Sequence, residues 1–485
     1  MNKRLIVHVL SKMMLFEALL LLAPALVSLI YKDYTDTVVF VTVAAFVAVF
    51  GAAVILLAKP RDYHIYAKEG FVVVALAWIS WSVVGSLPFY ISHAIPKYAD
   101  CLFETVSGFT TTGSSVLSNI EALSKGMLFW RSFTHWVGGM GVLVFVMALI
   151  SVTENNTMNL MRAEVPGPVV GKLVPKGRSN AKILYAIYLG LTVAEMIFLL
   201  LGGMPLYDSI VHAFGTAGTG GFSIKSASIA YYNSAYIDGV ITVFMILFGI
   251  NFNLYYFILI KKLTYVKSNH ELRVFLGVVA AAMLVITLNI MPIYKNIASA
   301  FRYASFQVAA VVSTTGYSTA DFNKWPELSK TILLTLMFMG GCAGSTGGGI
   351  KVSRVMLLFE SARNKINKLI NPRTVKPIKL EGKVVSDETI ADFNAYIIMY
   401  VLAIVISVLL ISVDNFDFTT SSTSVITCIN NIGPGLGNIV GPAGNFAHYS
   451  TFSKMVLCFD MLLGRLEIFP MVMLLSPTIW KKKFI

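Results

Sequence analysis

Charged side chains are scarce in this chain. Asp, Glu, Lys and Arg make up 13% of its 485 residues, about half the share that a soluble globular protein carries. Hydrophobic residues make up 56%, and whole windows of about 20 residues lack charge, which is the length that a helix needs to cross a bilayer. The composition excludes an ordinary soluble domain and predicts an all-α integral membrane protein.

Cysteine is equally scarce, and the four cysteines form no C-x-x-C pair and have no accompanying histidine cluster. This pattern favours neither a disulfide framework nor a zinc or thiol redox site. They are Cys101, Cys342, Cys428 and Cys458.

Catalytic motifs are missing as well. No HExxH, serine triad or paired-carboxylate pattern stands out. Gly344 and Gly349 have the spacing of a phosphate-binding loop, but Ile350, Lys351 and Val352 stand where Gly-Lys-Ser/Thr is required. We therefore expect that this chain is not an enzyme.

Ten hydrophobic stretches have the length of membrane spans. The first resembles a signal peptide, but Lys12 and Glu17 interrupt it and no clear cleavage site follows, so we predict a retained helix. The eighth is interrupted in its middle by glycine. The predicted spans are 13–30, 38–57, 70–91, 133–150, 183–201, 237–260, 274–293, 331–359, 393–411 and 455–475.

The basic residues orient these spans. With the N-terminus inside, most of the 38 Lys and Arg residues fall in cytoplasmic segments, including the stretch 351–383, as the positive-inside rule requires. The net charge of +13 is therefore explained by topology, and we expect no nucleic-acid partner. The predicted location is a bacterial inner membrane, with both termini cytoplasmic.

Four short glycine motifs recur between spans, each in a polar segment on the predicted outer side. Three share the pattern Thr-x-Gly-x-Ser, whereas the fourth has Asn and Ile before its glycine. A self-similar unit repeated at intervals is a strong indicator of fold. The motifs are 111–115, 219–223, 314–318 and 431–435.

Each motif follows a segment too short to cross the membrane, which fits a half-helix that dips in and returns. Asp100, Asp208 and Asp417 lie near the starts of three of them, where the positive helix end favours an acid. The last eight spans then form four span–loop–span repeats after an N-terminal pair. The predicted divisions are 1–60, 61–160, 161–265, 266–370 and 371–485.

The motifs have the chemistry of a cation filter. Rings of backbone carbonyls replace the hydration shell of potassium, and glycine permits the unusual dihedrals that this needs. No Asp or Glu lies within the motifs, which argues against divalent selectivity. The predicted potassium-binding residues are Thr111, Thr112, Gly113, Thr219, Gly220, Gly221, Thr314, Thr315, Gly316, Asn431, Ile432 and Gly433.

These residues resemble the TrkH/TrkG/KtrB superfamily of bacterial potassium transporters, which is related to plant HKT proteins. The resemblance covers nearly the whole chain, and the N-terminal pair resembles TrkH rather than KtrB. It implies four membrane–pore–membrane repeats around one pore, potassium selectivity with one glycine per repeat, a homodimer and a separate TrkA-type cytosolic subunit that binds adenine nucleotides. Plant relatives that admit sodium have serine in place of the first glycine, so Gly113 favours potassium.

The broken eighth span holds six glycines in ten residues, 340–349. Each glycine disfavours a helix by about 1 kcal/mol relative to alanine, so this segment is either a kink for close packing or an unwound gate below the filter. The resemblance implies the gate. Its predicted residues are Gly340, Gly341, Gly344, Ser345, Thr346, Gly347, Gly348, Gly349 and Arg465.

Arg465 lies within the tenth span, where a cation is unfavourable unless it faces water, a carboxylate or backbone carbonyls. One interpretation pairs it with Glu467 or Asp460. The other places it near the pore, where it repels cations and contacts the glycine-rich segment. Glu104, His135, His212 and Glu17 are interpreted as helix-packing residues.

Two functions remain open at this point. The first is a gated, channel-like potassium-uptake subunit in contact with membrane lipid, with no organic cofactor. The alternative is a potassium symporter coupled to sodium or protons, in which Glu17 or Glu104 holds the coupling ion.

Overall fold

The structure, a computed structural model, describes residues 1–60, 66–141, 177–373, 377–380 and 383–480, and helices dominate these segments. The helices are α1 Lys3–Leu20, α2 Leu22–Ile30, α3 Tyr34–Leu57, α4 Ala67–Ile91, α5 Tyr98–Phe109, α6 Lys125–Gly139, α7 Gly177–Leu201, α8 Leu206–Ala217, α9 Ala235–Phe248, α10 Phe252–Leu259, α11 Leu263–Ser268, α12 His270–Tyr294, α13 Ile297–Val312, α14 Glu327–Met337, α15 Val352–Ile370, α16 Asp387–Ile411, α17 Phe418–Ile429, α18 Thr451–Arg465, α19 Phe469–Leu475 and α20 Pro477–Trp480. A hairpin of two-residue strands, Lys379–Leu380 and Lys383–Val384, is the sheet structure in these segments.

Side-chain caps fix where several helices begin. Ser124, Ser234 and Ser450 each accept a hydrogen bond from the backbone N–H three residues on, which satisfies one of the free donors at a helix start. Asn269 and Ser386 do the same for α12 and α16. These polar residues interrupt the apolar pattern and separate one hydrophobic helix from the next.

Six helical stretches in the described part of the chain are long and apolar enough to span a membrane. They correspond to the first, second, third, fifth, seventh and ninth predicted spans. Their bounds are Lys3–Ile30, Tyr34–Leu57, Lys68–Ile91, Ala181–Leu201, His270–Tyr294 and Asp387–Asp414.

The remaining predicted spans depart from a single straight helix. The sixth is a bent pair, in which α9 and α10 meet at 94° around Gly249–Asn251. The tenth breaks between α18 and α19, and the eighth breaks between α14 and α15 as predicted. Continuous helices were therefore the wrong prediction for the sixth and tenth spans. Helix α6 ends at Gly139, and residues 142–150 of the fourth span lie outside the described segments.

Four short helices precede the glycine motifs: α5, α8, α13 and α17, here called the pore helices. They pack against helices that follow the motifs: α6 contacts α5 and α8, α9 contacts α13, and α18 contacts α17 and α5. This packing encloses the four motifs within a layer of longer helices.

The N-terminal helices lie on the outside of this arrangement. Helix α1 packs against α3 and α4, and Phe16 stacks on Trp81 with ring centroids 6.4 Å apart. The largest described hydrophobic cluster contains residues from each of the helices α1 through α6 and from α17 and α18. The N-terminal helices therefore pack together with helices near the C-terminal end of the chain.

Candidate functional site

The four pore helices end in the same way. After each helix one residue adopts positive φ: Thr111, Thr219, Thr314 and Asn431 at 55°, 53°, 60° and 54°. The next N–H then bonds to a carbonyl five residues back, at 2.9, 2.9, 2.8 and 2.9 Å. This is the Schellman motif, which satisfies terminal carbonyls by turning the chain sharply.

The third residue of each motif also has positive φ: Gly113, Gly221, Gly316 and Gly433 at 82°, 76°, 77° and 99°. Positive φ is a conformation that glycine adopts without steric cost. The fourth motif therefore has the same backbone conformation as the others despite its different sequence.

These glycines meet in a closed ring. A Cβ added to Gly113 would lie 2.0 Å from the carbonyl oxygen of Gly220, and one added to Gly221 would lie 1.9 Å from that of Thr315. Gly316 approaches the Ile432 carbonyl at 1.8 Å, and Gly433 approaches the Thr112 carbonyl at 2.8 Å. Each glycine thus faces the carbonyl of the next unit, and the fourth returns to the first. The structure brings all twelve predicted filter residues together in this ring.

Most of the threonine hydroxyls in the ring bond to protein. Thr112 Oγ1 accepts from Asn431 Nδ2 at 2.9 Å, and Thr315 Oγ1 lies 2.7 Å from Ser313 Oγ. Thr111 Oγ1 and Asn431 Oδ1 are buried without a hydrogen-bond partner among the described residues. No group of three or more His, Cys, Asp or Glu residues suited to a metal ion occurs in the described ranges.

A polar side chain on each pore helix forms hydrogen bonds with residues that follow the motif glycine. Glu104 accepts hydrogen bonds from Ser115 Oγ and Val116 N at 3.0 Å each. His212 bonds Ser223 Oγ at 3.0 Å, Gln307 bonds Thr319 Oγ1 at 3.5 Å, and Thr423 Oγ1 bonds both Leu436 N and Leu436 O at 3.1 Å. The first three lie seven residues before the positive-φ residue, and Thr423 lies eight before it. The sequence interpretation of Glu104 and His212 as helix-packing residues missed this role.

The four motifs are called here the walls of the ring, numbered in chain order, and Arg131 joins the first two. It forms a buried ion pair with Glu104 and donates to Ser223 O at 2.8 Å. Its guanidinium also lies 3.7 Å from the centre of the Phe222 ring. A buried ion pair with further hydrogen bonds fixes geometry, since removing either partner leaves a buried charge without compensation.

A second ring of contacts joins the four loops that follow the motif glycines, residues 114–124, 222–234, 317–326 and 434–450, here called the mouth loops. Glu121 accepts from Ser226 N and Oγ, and these hydrogen bonds hold the pKa of the Glu121 carboxyl below its usual value. The other three junctions are Ala230 N to Ser318 O at 3.2 Å, Asn323 Nδ2 to Gly437 O at 2.9 Å, and Phe446 N to Ser115 O at 2.8 Å.

The glycine-rich segment 340–349 is unwound and lies beneath the ring. It pairs with the break in the sixth predicted span: Cys342 N bonds Gly249 O at 2.9 Å, and Phe252 N bonds Gly344 O at 3.0 Å. Each break supplies backbone partners for the other, as buried irregular backbone requires.

The same segment contacts two walls of the ring. Gly348 N donates to Thr314 Oγ1 at 2.7 Å. A Cβ on Gly348 would lie 2.8 Å from both Asn430 O and Asn431 Cβ. Glu271 links the first part of the segment to the first turn of α15, because its Oε1 accepts from Ala343 N at 2.8 Å and from Ser353 N at 3.0 Å.

Arg465 ties this segment to a helix end. Its Nη1 donates to Thr346 O at 2.8 Å, and its Nη2 donates to Gly138 O and Gly139 O at 2.6 and 2.8 Å. The alternative acids are engaged elsewhere, since Glu467 pairs with Arg354 and Asp460 accepts from Ser407. Backbone carbonyls therefore stabilise the arginine charge.

The chain after Arg465 is strained. Glu467 and Ile468 both have positive φ, at 57° and 67°, and Phe469 N bonds Glu467 O at 2.7 Å in a γ-turn. A β-branched residue at positive φ is an outlier, and such strain persists only where surrounding contacts impose it. The Arg354–Glu467 ion pair is one of these contacts.

The chain as a whole resembles known proteins. A family described as "TrkH: Cation transport protein" matches residues 36–482. The Trk system potassium uptake protein TrkH of Salmonella typhimurium is 34% identical over 489 residues, which cover 99% of this chain and 100% of that protein. TrkG of Escherichia coli, of the same system, is 32% identical over 482 residues, with 99% of each chain covered.

A solved structure extends the match to three dimensions. The crystal structure of the potassium transporter TrkH from Vibrio parahaemolyticus superposes with a TM-score of 0.89 at 32% identity, covering 99% of this chain and 100% of the other. Sequence and fold agree over essentially the full length. The chain described here therefore belongs to the TrkH family of cation transport proteins.

Proposed function

We propose that this chain is a potassium-translocating membrane subunit that mediates potassium uptake through a channel-like filter. The closed ring of glycine and carbonyl contacts among the four motifs carries this proposal. Four equivalent walls bring their carbonyls to one axis, which is the arrangement that replaces the water around a potassium ion. The relatives' names as potassium uptake proteins support the same ion.

The proposed architecture has ten membrane spans, in four span–loop–span repeats after the N-terminal pair. Spans four, six, eight and ten are then the second helices of the repeats, and the structure ends or breaks a helix in each of them, at Gly139, Gly249, 338–351 and Leu466. Breaks at corresponding places support a shared design. Both termini are placed in the cytoplasm by the distribution of basic residues.

The proposed gate consists of segment 340–349 and Arg465. The segment contacts the third and fourth walls through Thr314 and Asn431, and the arginine grips it at Thr346. A cation on the ion path repels other cations, and its three hydrogen bonds must break or rearrange when the segment moves. This explains how one side chain can both block a path and hold it closed.

We also propose the partners that the sequence led us to expect: a second copy of the chain, membrane lipid and a TrkA-type cytosolic subunit. The support is the "Trk system" in the relatives' names. Helix α15 leads from the proposed gate into the basic stretch that ends at Lys383, and it exposes Phe359 and Leu369 at 71% and 79%. A cytosolic partner that moved this helix would act directly on the gate.

Rubidium uptake into liposomes containing the purified chain tests the proposal, with and without competing sodium. We expect uptake down the rubidium gradient that sodium inhibits weakly and external potassium inhibits strongly. Equal inhibition by both ions would contradict a potassium filter. If the purified chain carries no ion, the assay is repeated with its cytosolic partner, and absence of flux there would overturn the proposal.

The second candidate function is symport with sodium or protons. Glu104 is now a poor coupling site because Arg131 and two hydrogen bonds engage its carboxylate. Glu17 keeps this candidate open, because it is fully buried and neither of its oxygens has a hydrogen-bond partner in the part of the chain that the structure describes. An ionisable group of this kind within a span is a functional-site candidate. The reversal potential decides: a channel follows the potassium gradient alone, whereas a symporter shifts with sodium or pH.

A further inference from the structure

His135 lies directly behind the second wall of the ring. It is fully buried on α6, which packs between the pore helices α5 and α8. Its ring is 2.3 Å from the position of a Cβ on Gly220, and its centroid is 4.2 Å from that of Phe222. The side chain therefore contacts the second wall on its outer side, away from the axis of the ring.

Both ring nitrogens of His135 make hydrogen bonds. Nε2 accepts from Phe222 N at 3.2 Å, and Nδ1 lies 2.7 Å from Gly108 O. Because a carbonyl can only accept, Nδ1 carries the proton and the imidazole is neutral. One side chain thus links the last turn of the first pore helix to the backbone of the second motif.

The bond to Phe222 N fixes the direction of a filter carbonyl. The N–H of Phe222 and the C=O of Gly221 belong to one planar, trans peptide unit, in which they point in opposite directions. Since the N–H points outward to His135 on α6, the Gly221 carbonyl points away from α6, toward the axis of the ring. Rotation of this peptide would cost the buried N–H its partner.

Histidine occupies this place in α6 but not in the corresponding helices α9, α14 and α18. His135 lies eleven residues after the helix cap Ser124. The residues eleven positions after the other three caps are all methionine: Met245, Met337 and Met461. All three are fully buried, so an apolar side chain fills this place in the other repeats.

We propose that His135 is a positioning residue for ion selectivity, which sets the Gly221 carbonyl toward the ion through the Phe222 N–H. This inference rests on the proposed function, because it assumes that the ring is the filter. Methionine, whose sulfur is only a weak acceptor, fills this place in the other three repeats. Among the described residues, the second wall therefore differs from the others in depending on this side chain of α6 for the orientation of its glycine carbonyl.

The test compares substitutions that separate the two hydrogen bonds. His135→Met introduces the side chain of the other repeats and removes both bonds. In His135→Gln, Oε1 can replace Nε2 as the acceptor for Phe222 N. In His135→Asn, Nδ2 can still donate to Gly108 O, but the side chain is too short to reach Phe222 N. The potassium-to-sodium permeability ratio is measured in liposomes for each protein.

We expect His135→Met and His135→Asn to lower the permeability ratio about tenfold, the scale of losing one buried hydrogen bond. His135→Gln should recover most of the wild-type ratio. Met337→Leu, at the matching place in the third repeat, is the control and should leave the ratio unchanged. If His135→Met does not fold, the Asn and Gln pair carries the test.

If the wild type is selective and His135→Met has the same permeability ratio, this inference is wrong and the proposed function stands. Where His135→Met does not fold, an unchanged ratio in His135→Asn has the same meaning. Equal losses in the Asn and Gln variants would also overturn it, because a general packing defect does not distinguish the two. A wild type that carries no potassium, with or without its partner, overturns the proposed function instead.

Discussion

Substitution of Gly113 by serine is the sharpest test of the ring. The residue has φ of 82°, and a Cβ there would lie 2.0 Å from the carbonyl oxygen of Gly220. Serine therefore meets two separate obstacles, an unfavourable backbone conformation and a steric clash with the neighbouring wall.

The two obstacles differ in size. An L-residue in the left-handed region loses about 1–2 kcal/mol. Relief of the clash needs a displacement of about 1.5 Å, because nonbonded heavy atoms prefer a separation of about 3.5 Å. The Gly220 carbonyl is itself part of the ring, so the first and second walls must separate. We expect the potassium-to-sodium permeability ratio to fall at least tenfold.

Two glycines provide matched comparisons. Gly203 has the same φ of 82° but no atom within 4 Å of an added Cβ, so Gly203→Ser isolates the conformational cost and should leave selectivity unchanged. In the fourth wall, the Cβ of Gly433→Ser would lie 2.8 Å from Thr112 O. Its loss of selectivity should be smaller than that of Gly113→Ser.

Bi-ionic reversal potentials in planar bilayers or liposomes give the permeability ratios. Rubidium flux, corrected for the amount of protein inserted, separates lost selectivity from lost conduction. A wild-type ratio in Gly113→Ser would remove this glycine from the filter. A larger effect for Gly433→Ser than for Gly113→Ser would refute the steric argument, even if both lose selectivity.

Three further predictions concern the proposed gate, and rubidium flux measures each of them. Arg465→Ala removes three hydrogen bonds to backbone carbonyls and a charge, so flux should rise severalfold; wild-type flux would exclude the arginine as a barrier. Deletion of residues 347–349 removes the contact of Gly348 N with Thr314 and should also raise flux, whereas unchanged flux would place the barrier elsewhere. Glu271→Ala frees Ala343 N and Ser353 N and should raise flux, while Glu271→Gln keeps an acceptor oxygen and should stay near wild type; equal flux in the two variants would mean that the clamp is irrelevant.

Sequence alone predicted the places of the pore helices and motifs because their signals are local. A glycine at a fixed distance after a short amphipathic segment, repeated four times, needs no knowledge of distant contacts. Asp417 also marked a helix start, since it caps α17 by accepting from Thr420 N at 3.0 Å.

The breaks in the sixth and tenth spans escaped prediction for a physical reason. Hydropathy measures transfer into lipid and is insensitive to helix continuity, so the apolar run around Gly249 and Ile250 reads as one span. What unwinds this run is pairing with Cys342 and Gly344, about ninety residues further along the chain. Ile468 similarly gives no local signal for positive φ, which its tertiary contacts impose.

The roles of the residues that support the ring were missed for the same reason. Glu104 and Arg131 are 27 residues apart, and His135 meets Phe222 across 87 residues. A lone histidine or glutamate in an apolar helix has many possible partners, and sequence does not select among them.

The fourth motif shows what the repeat actually preserves. Asn431 replaces threonine where φ must be positive, and asparagine adopts that region more readily than a β-branched residue. Its Nδ2 donates to Thr112 Oγ1 and to Met461 O, so the side chain binds the first wall to the last broken helix. Ile432 contributes only its carbonyl to the ring, which any residue could supply. The feature that the four motifs share is therefore a backbone conformation with glycine at its third position, and the threonines are one of two ways to achieve it.

Asn431→Thr should accordingly preserve the course of the chain while removing the Nδ2 donor, and it should weaken the junction between the fourth and first walls without loss of the Gly433 carbonyl from the ring.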